Sequence, residues 1–494
     1  MSTTSERAVT AEASVTSKNL SKVALLRAAQ YPFVALFAFI VPRLMGPETY
    51  GHYALFVSLV GMIAAFLDLG VTEISAREVP ERERHSGGGA IARYFSRMLG
   101  FKAALDVALA GLFVIGAHLF AGPGPLRSWL VPLLLAVVIT DVGGTAYALL
   151  FGLNRLALCS SRDPIRRAIS LVSVIILYEK FGLSGAVFSV VVVEATLACL
   201  YLSWTRRYVS LPSLVPNWRF TAPLLRYGAM FYLSWGISNV WQRLGNSLIG
   251  SLRGDFRQIA VFDLSNQIFL TAIGFTMFLI TALAPMFTRL RLDGKQGKIV
   301  DWSRRILTYN QIACMLALGG WLLVGPQLIP LLIGRQYTAL YGNVALLLCG
   351  TFPMTVVQLG LALAMAYAEP VWYMVALIAA VATFVAASLA LIPGYGALGC
   401  SLATLLSCGV CALTIGLRYR TNLRVSLIPG LKSIAIGAVI LLPCWLYRGS
   451  PARDAALLAI FVVVYVAALS IGRILDRREI HEAWLALKHR ESPT

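Results

Sequence analysis

Fourteen apolar stretches of roughly bilayer-spanning length run through the chain, and few folds are compatible with that pattern. They fall at about 23–41, 50–69, 98–120, 129–151, 168–180, 182–203, 227–249, 259–287, 306–325, 341–365, 370–392, 396–417, 430–447 and 454–472. A helix crossing the hydrocarbon core needs about 20 apolar residues. The pattern therefore predicts an all-α polytopic membrane protein of about 14 transmembrane helices. The fifth stretch is the shortest, and twelve spans remain if the last pair is only a hairpin. Composition supports the class: 58% of residues are hydrophobic and 13% charged, whereas a soluble surface needs about a quarter charged.

The net charge of +19 has two readings, a nucleic-acid partner or the basic loops of a membrane protein. The distribution decides between them. One alternating set of loops and tails holds 31 Lys and Arg, and the other set holds 8. That asymmetry accounts for the charge without nucleic acid and places both termini in the cytoplasm. The expected organisation is a cytoplasmic tail (1–22), a six-helix lobe (23–203), a cytoplasmic linker (204–226), a second six-helix lobe (227–417), an extra helix pair (430–472) and a cytoplasmic tail (473–494).

The longest loop, 70–97, is too short to fold alone. Gly294-Lys295 and Gly297-Lys298 lack the rest of a phosphate-binding loop, so ATP bound to this chain is not expected to drive it. Seven of the eight cysteines lie in apolar stretches, and the lone Cys408–Cys411 pair reads as packing rather than as a metal site. The five histidines sit in loops, tails or span ends with no metal spacing, and no nucleophile-plus-base arrangement is visible. No metal, no cofactor and no enzymatic activity are expected.

Polar residues at depth are then the informative ones, because a charge at a span centre costs about 2.5–3.5 kcal/mol on insertion scales. Arg27 lies in the first span, five residues before Pro32, which is expected to act as a hinge. Two readings stay open for it: a fixed cation that meets a phosphate on a cavity wall, or a side chain snorkelling to the headgroups. In the seventh span Asn239, Gln242, Arg243 and Asn246 recur at helical spacing and share a face. They line a cavity or serve as interhelical hydrogen bonds. Asp141 and Glu194 fall near mid-span. Desolvation disfavours a buried carboxylate, which suits either to carry H+ or Na+, or to make a packing bond or ion pair. Lys102 and Asp106, four apart on one helix, are expected to neutralise each other. Gly350 with Pro353 is expected to break the tenth span, and Gly143-Gly144 follows Asp141.

A faint internal repeat pairs Pro42–Leu55 with Ser251–Leu264: each is a glycine-bearing outer turn leading to an aromatic. At Arg43-Leu-Met-Gly46-Pro47-Glu48-Thr-Tyr-Gly51-His-Tyr53-Ala-Leu, followed by Asp68-Leu-Gly70, the sequence resembles the bacterial polysaccharide-biosynthesis transport proteins. These are the O-antigen and exopolysaccharide flippases of the multidrug/oligosaccharidyl-lipid/polysaccharide exporter superfamily. Weaker similarities run through Phe151–Arg155, Ala284-Pro285 and Gly394–Gly399. Met45 departs from the pattern, as does Asn246, where that family often carries Asp.

The resemblance implies two lobes in a V around a central cavity that opens alternately to each side of the cell inner membrane. It implies as substrate an undecaprenyl-diphosphate-linked oligosaccharide, carried to the periplasmic face for O-antigen, capsule or exopolysaccharide synthesis. A polymerase and a chain-length regulator of the same pathway are the partners it suggests. A drug/cation antiporter of the same superfamily, and a membrane polymerase or ligase, are the alternatives.

Overall fold

In the computed structural model, residues 28–120, 125–210, 217–367 and 369–472 are described, with Leu26 and Ile474 beside them. Every regular element among the described residues is helical. Ten of their helices are long and apolar enough to cross a membrane, so the chain is a multi-pass, all-α membrane protein. It divides into two compact units, residues 1–260 and 261–494.

The first unit opens with α1 (Gln30–Leu67), which is two spans in one element. Gly46 takes φ 75°, a conformation open to glycine at little cost, and breaks the helix. Pro47 then starts the returning limb, where its missing N–H is harmless. Next come α2 (Val71–Phe120), α3 (Pro125–Gly152), the short α4 (Leu156–Ser160), α5 (Arg162–Thr205) and α6 (Trp218–Arg253). α5 is again two spans, folded back at Gly182, whose φ is 59°. Asn217 caps α6 by accepting from the Phe220 N–H, and Gly254 closes it in the left-handed conformation.

The second unit holds most of α7 (Phe256–Leu292), then α8 (Gln296–Leu328), α9 (Leu340–Tyr367), α10 (Pro370–Tyr395), α11 (Ala397–Arg418), α12 (Arg420–Leu446) and α13 (Pro451–Ile471). Counting the two folded-back helices twice, those ten membrane-length helices supply twelve spans, and α6 and α7 occupy the seventh and eighth predicted stretches. The fifth is complete as the first limb of α5. The last two are full helices of 27 and 21 residues, so the hairpin alternative falls away. α9 runs unbroken through Gly350 and Pro353, and α3 through Gly143-Gly144. The expected break in the tenth span is absent, and the amide of Gln311 on α8 donates to the Phe352 carbonyl beside Pro353. Pro32 stands in the first turn of α1, just after helical Ala28 and a turn at Ala29.

Packing follows lipid rules, in which van der Waals fit and small residues bring helices together. In the first unit, Val71, Ile74, Tyr94, Met98, Leu149, Val193, Leu197 and Tyr201 form a continuous core of α2, α3 and α5. In the second, Gly319 of α8 receives the ring of Phe461, and Gly437 of α12 lies against Met315 and Tyr465. The outward faces of α12 and α13 expose Val439, Leu442, Leu446 and Val463, apolar surface suited to lipid rather than water.

Candidate functional site

The residues of the motif at 43–70 turn out to shape the first unit. Gly51 faces the backbone of Phe256, where a methyl group would overlap the Phe256 carbonyl. The ring of His52 stacks on Phe256 with centroids 3.5 Å apart, and its Nδ1 lies 2.9 Å from the Glu48 carbonyl. Glu48 faces Arg257 at 3.7 Å, both exposed. Tyr53 is buried against Phe37 and Tyr50. Arg43 is exposed near this turn. At the other end of the returning limb, Asp68 caps α1, and Leu69 and Gly70 take φ of 53° and 70° to start α2.

Arg27 lies outside the described residues. The polar stripe of α6 divides. Asn246 is buried and donates to the Ser58 hydroxyl of α1 at 2.7 Å, an interhelical packing bond. Asn239 donates to its own helix at the Trp235 carbonyl, and Gln242, which is exposed, to Ser238. The Arg243 guanidinium lies across Gly61 of α1, in space that any side chain at 61 would take.

Glu194 sits midway along the second limb of α5, and Arg166 from the first limb pairs with it. Sequence reasoning missed this cation by assigning 152–167 to a cytoplasmic loop. α5 already begins at Arg162, and Arg166 reaches Glu194 at mid-span. Arg166 is half-buried, with 35% of its side chain accessible, and its guanidinium reaches inward to Glu194. Arg167 is beside it, within electrostatic reach of Tyr50 and Tyr53 on α1. Arg162 packs over the Tyr147 ring at 4.8 Å. The first two turns of α5 thus carry three cations, all of them half-buried.

Asp141 of α3 pairs with Lys102 of α2 at 2.7 Å, and both are almost fully buried. This corrects the expected Lys102–Asp106 pair. The tertiary partner displaces the local one because Asp141 faces the ammonium directly across α2 and α3. Lys102 also donates to the Leu67 carbonyl at the end of α1, where a cation suits the helix C-terminus. Asp106, 1% exposed, lies one turn beyond Lys102, its carboxyl within electrostatic reach of Asp141. No donor side chain or N–H among the described residues reaches either Asp106 oxygen or Oδ2 of Asp141.

Comparison with known proteins agrees with this architecture. The sequence pattern described as "Polysaccharide biosynthesis protein" matches residues 17–291. Among solved structures, the lipid II flippase MurJ in an inward closed conformation superposes with a TM-score of 0.70 at 13% identity, covering 92% of this chain and 98% of that one. An inward-facing multidrug resistance MATE family transporter of the MOP superfamily gives 0.62 at 16% identity, covering 82% and 98%. The Vibrio cholerae MATE transporter VcmN gives 0.52 at 14% identity, covering 82% and 98%. No curated protein matches the chain. At such identities the likeness shows a shared fold, that of MOP-superfamily flippases and transporters.

Proposed function

Because the chain belongs to the polysaccharide biosynthesis protein family, we propose that it is a flippase for an undecaprenyl-diphosphate-linked oligosaccharide. In this reading it carries the repeat unit from the cytoplasmic to the periplasmic face of the inner membrane by alternating access, for O-antigen, capsule or exopolysaccharide synthesis. Pro32 as the hinge of the first span, and both termini in the cytoplasm, belong to the same reading. The observation that carries it is the pair Arg166 and Arg167. A diphosphate leaving water for a low-dielectric interior needs fixed cations, and guanidinium binds phosphate oxygens bidentately while staying charged. Arg166 is paired with Glu194 and still partly accessible, while Arg167 has no carboxylate bonded to it among the described residues. Arg27 and Arg243, with Asn239 and Gln242, extend the substrate path, while Asn246 fixes α6 against α1.

The test is polymer export in a strain lacking the chromosomal copy, at matched membrane levels of each variant. Arg167→Ala, which strands no carboxylate, is expected to reduce export about tenfold or more, as loss of one charge-assisted phosphate contact implies. Arg167→Lys should recover part of it. Full export from Arg167→Ala and Arg243→Ala together would remove the assignment.

A second reading, a cation-coupled multidrug antiporter, draws on the buried acids Asp106 and Asp141 and on the fold shared with MATE transporters. Efflux of organic cations from a strain lacking other exporters, with polymer export unaffected by deletion, would favour it.

A further inference from the structure

The cluster at Lys102 contains an imbalance that the fold does not resolve by itself. One ammonium faces two carboxylates, all three nearly excluded from solvent. Lys102 spends its bonds on Asp141 Oδ1 and on the Leu67 carbonyl. Three carboxylate oxygens therefore remain without a donor among the described residues. A buried carboxylate with no hydrogen bond is costly, and two adjacent ones do not both stay ionised in a low-dielectric interior.

Neighbouring elements do not remove the imbalance. The end of α1 adds another acid, Asp68, within reach of both Asp141 and Lys102. Its charge is met first by the same Lys102, then by its own bond from the Gly70 N–H and by Arg162 of α5, so the one ammonium is shared more widely still. From α6, Tyr232 stands near Asp68, but its hydroxyl donates to the Phe66 carbonyl at 2.6 Å. Glu194 of α5 is held by Arg166. None of these supplies a donor to Asp106.

We propose that Asp106 and Asp141 share one exchangeable proton, and that this pair is the proton-binding site of the transporter. The proton bridges the two carboxyl groups, giving a neutral cluster with Lys102. Its release leaves one net negative charge and no further change of bonding. A proton fits better than Na+, because a metal cation would have to sit against the Lys102 ammonium, whereas a proton needs only to be shared between two neighbouring carboxyl groups. The ammonium joins this pair to the Leu67 carbonyl, so a change in the pair's charge is transmitted to the α1–α2 turn. The proposal deepens the transport reading by naming its coupling ion, and it rests on that reading only for the word coupling.

The test uses the full chain, purified and reconstituted in phosphatidylethanolamine–phosphatidylglycerol vesicles, with infrared absorption of protonated carboxyl groups followed as pH is raised. The wild type is expected to show a carboxylic-acid band that disappears on titration. Asp106→Asn and Asp141→Asn should each abolish it, because the two groups hold one proton together. Lys102→Met removes the opposing cation, and the band should persist to a pH higher by about one unit or more. A band that survives Asp106→Asn unchanged, no titrating band in wild type, or an unmoved midpoint in Lys102→Met overturns the proposal. Polymer export separates the two ideas. Loss of the flippase reading leaves the band in place, whereas export by Asp106→Asn with wild-type dependence on external pH strikes only the proton site.

Discussion

In the first unit, ions are carried to the depth of the bundle: Lys102 with Asp141 and Asp106, and Arg166 with Glu194. In α8 to α13 of the second unit the same depth is bridged by neutral groups. Asn343 accepts from the Ser401 hydroxyl at 2.8 Å, Gln311 donates to the Phe352 carbonyl, and Thr351 and Thr355 bond back to their own helix. The ion pair of those helices, Glu369 with Arg418, sits at helix ends. Asp454 likewise belongs to the start of α13, where it takes the Gly449 N–H and Gln327. A neutral hydrogen bond holds helices together at a modest cost of burial, and an ion pair adds little net stability for a much larger desolvation cost. The contrast separates what the bundle needs for assembly from what the first unit keeps in addition, and the proposed transport site draws on the latter.

The sharpest way to break this contrast is Arg166→Leu with Glu194 left in place. A stranded mid-span carboxylate is expected to cost about 3–5 kcal/mol, read as loss of thermal stability of the detergent-solubilised protein. Adding Glu194→Leu should restore most of that loss while export stays low, since the pair would then be one the fold can spare and the function cannot. If Arg166→Leu alone is no worse than a change at a helix end, the buried ions of the first unit are not special.

A smaller effect is expected in the second unit. Ser401→Ala removes a donor from buried Asn343, whose own amide still bonds the Ala339 carbonyl. The change should cost about 0.6–1.7 kcal/mol, the range measured for bonds between membrane helices, and leave export at the wild-type level. A loss of export at preserved stability would place transport chemistry in the second unit as well and erase the distinction.

Much of this contrast was legible in the sequence, and the illegible part has a physical cause. All fourteen spans follow from apolar length, because lipid leaves the backbone few alternatives. The turns at Gly46, Gly70 and Gly254 sit where glycine in the motif and its repeat placed them. Asp141 and Glu194 stood out as buried acids. Their partners did not, since pairing is decided by which helices pack together. Lys102 had a candidate four residues away and took one on another helix instead. Arg166 and Arg167 were hidden by their own neighbours: four basic residues at 152–167 look like a cytoplasmic loop. Only the fold of α5 back on itself at Gly182 shows that a side chain near its start meets the middle of its second limb.

The smallest expected effect tests the other side of the comparison. Arg418 forms a bidentate pair with Glu369, at 2.6 and 3.2 Å, where 41% and 31% of the two side chains are accessible. Arg418 also lies over the Trp372 ring at 5.5 Å, a contact that survives loss of the carboxylate. Water and salt screen a pair this open, so Glu369→Gln should cost about 0.2–1 kcal/mol, and raising ionic strength should shrink the difference between variant and wild type. The Arg166–Glu194 pair, with Glu194 buried at mid-span, should respond to substitution several times more strongly and hardly at all to salt. Measuring both pairs across the same salt range therefore distinguishes ions held at depth from ions held at the surface. Equal salt sensitivity would mean that water reaches Glu194 as freely as it reaches Glu369, and a site so well hydrated would give a diphosphate little reason to prefer it to bulk water.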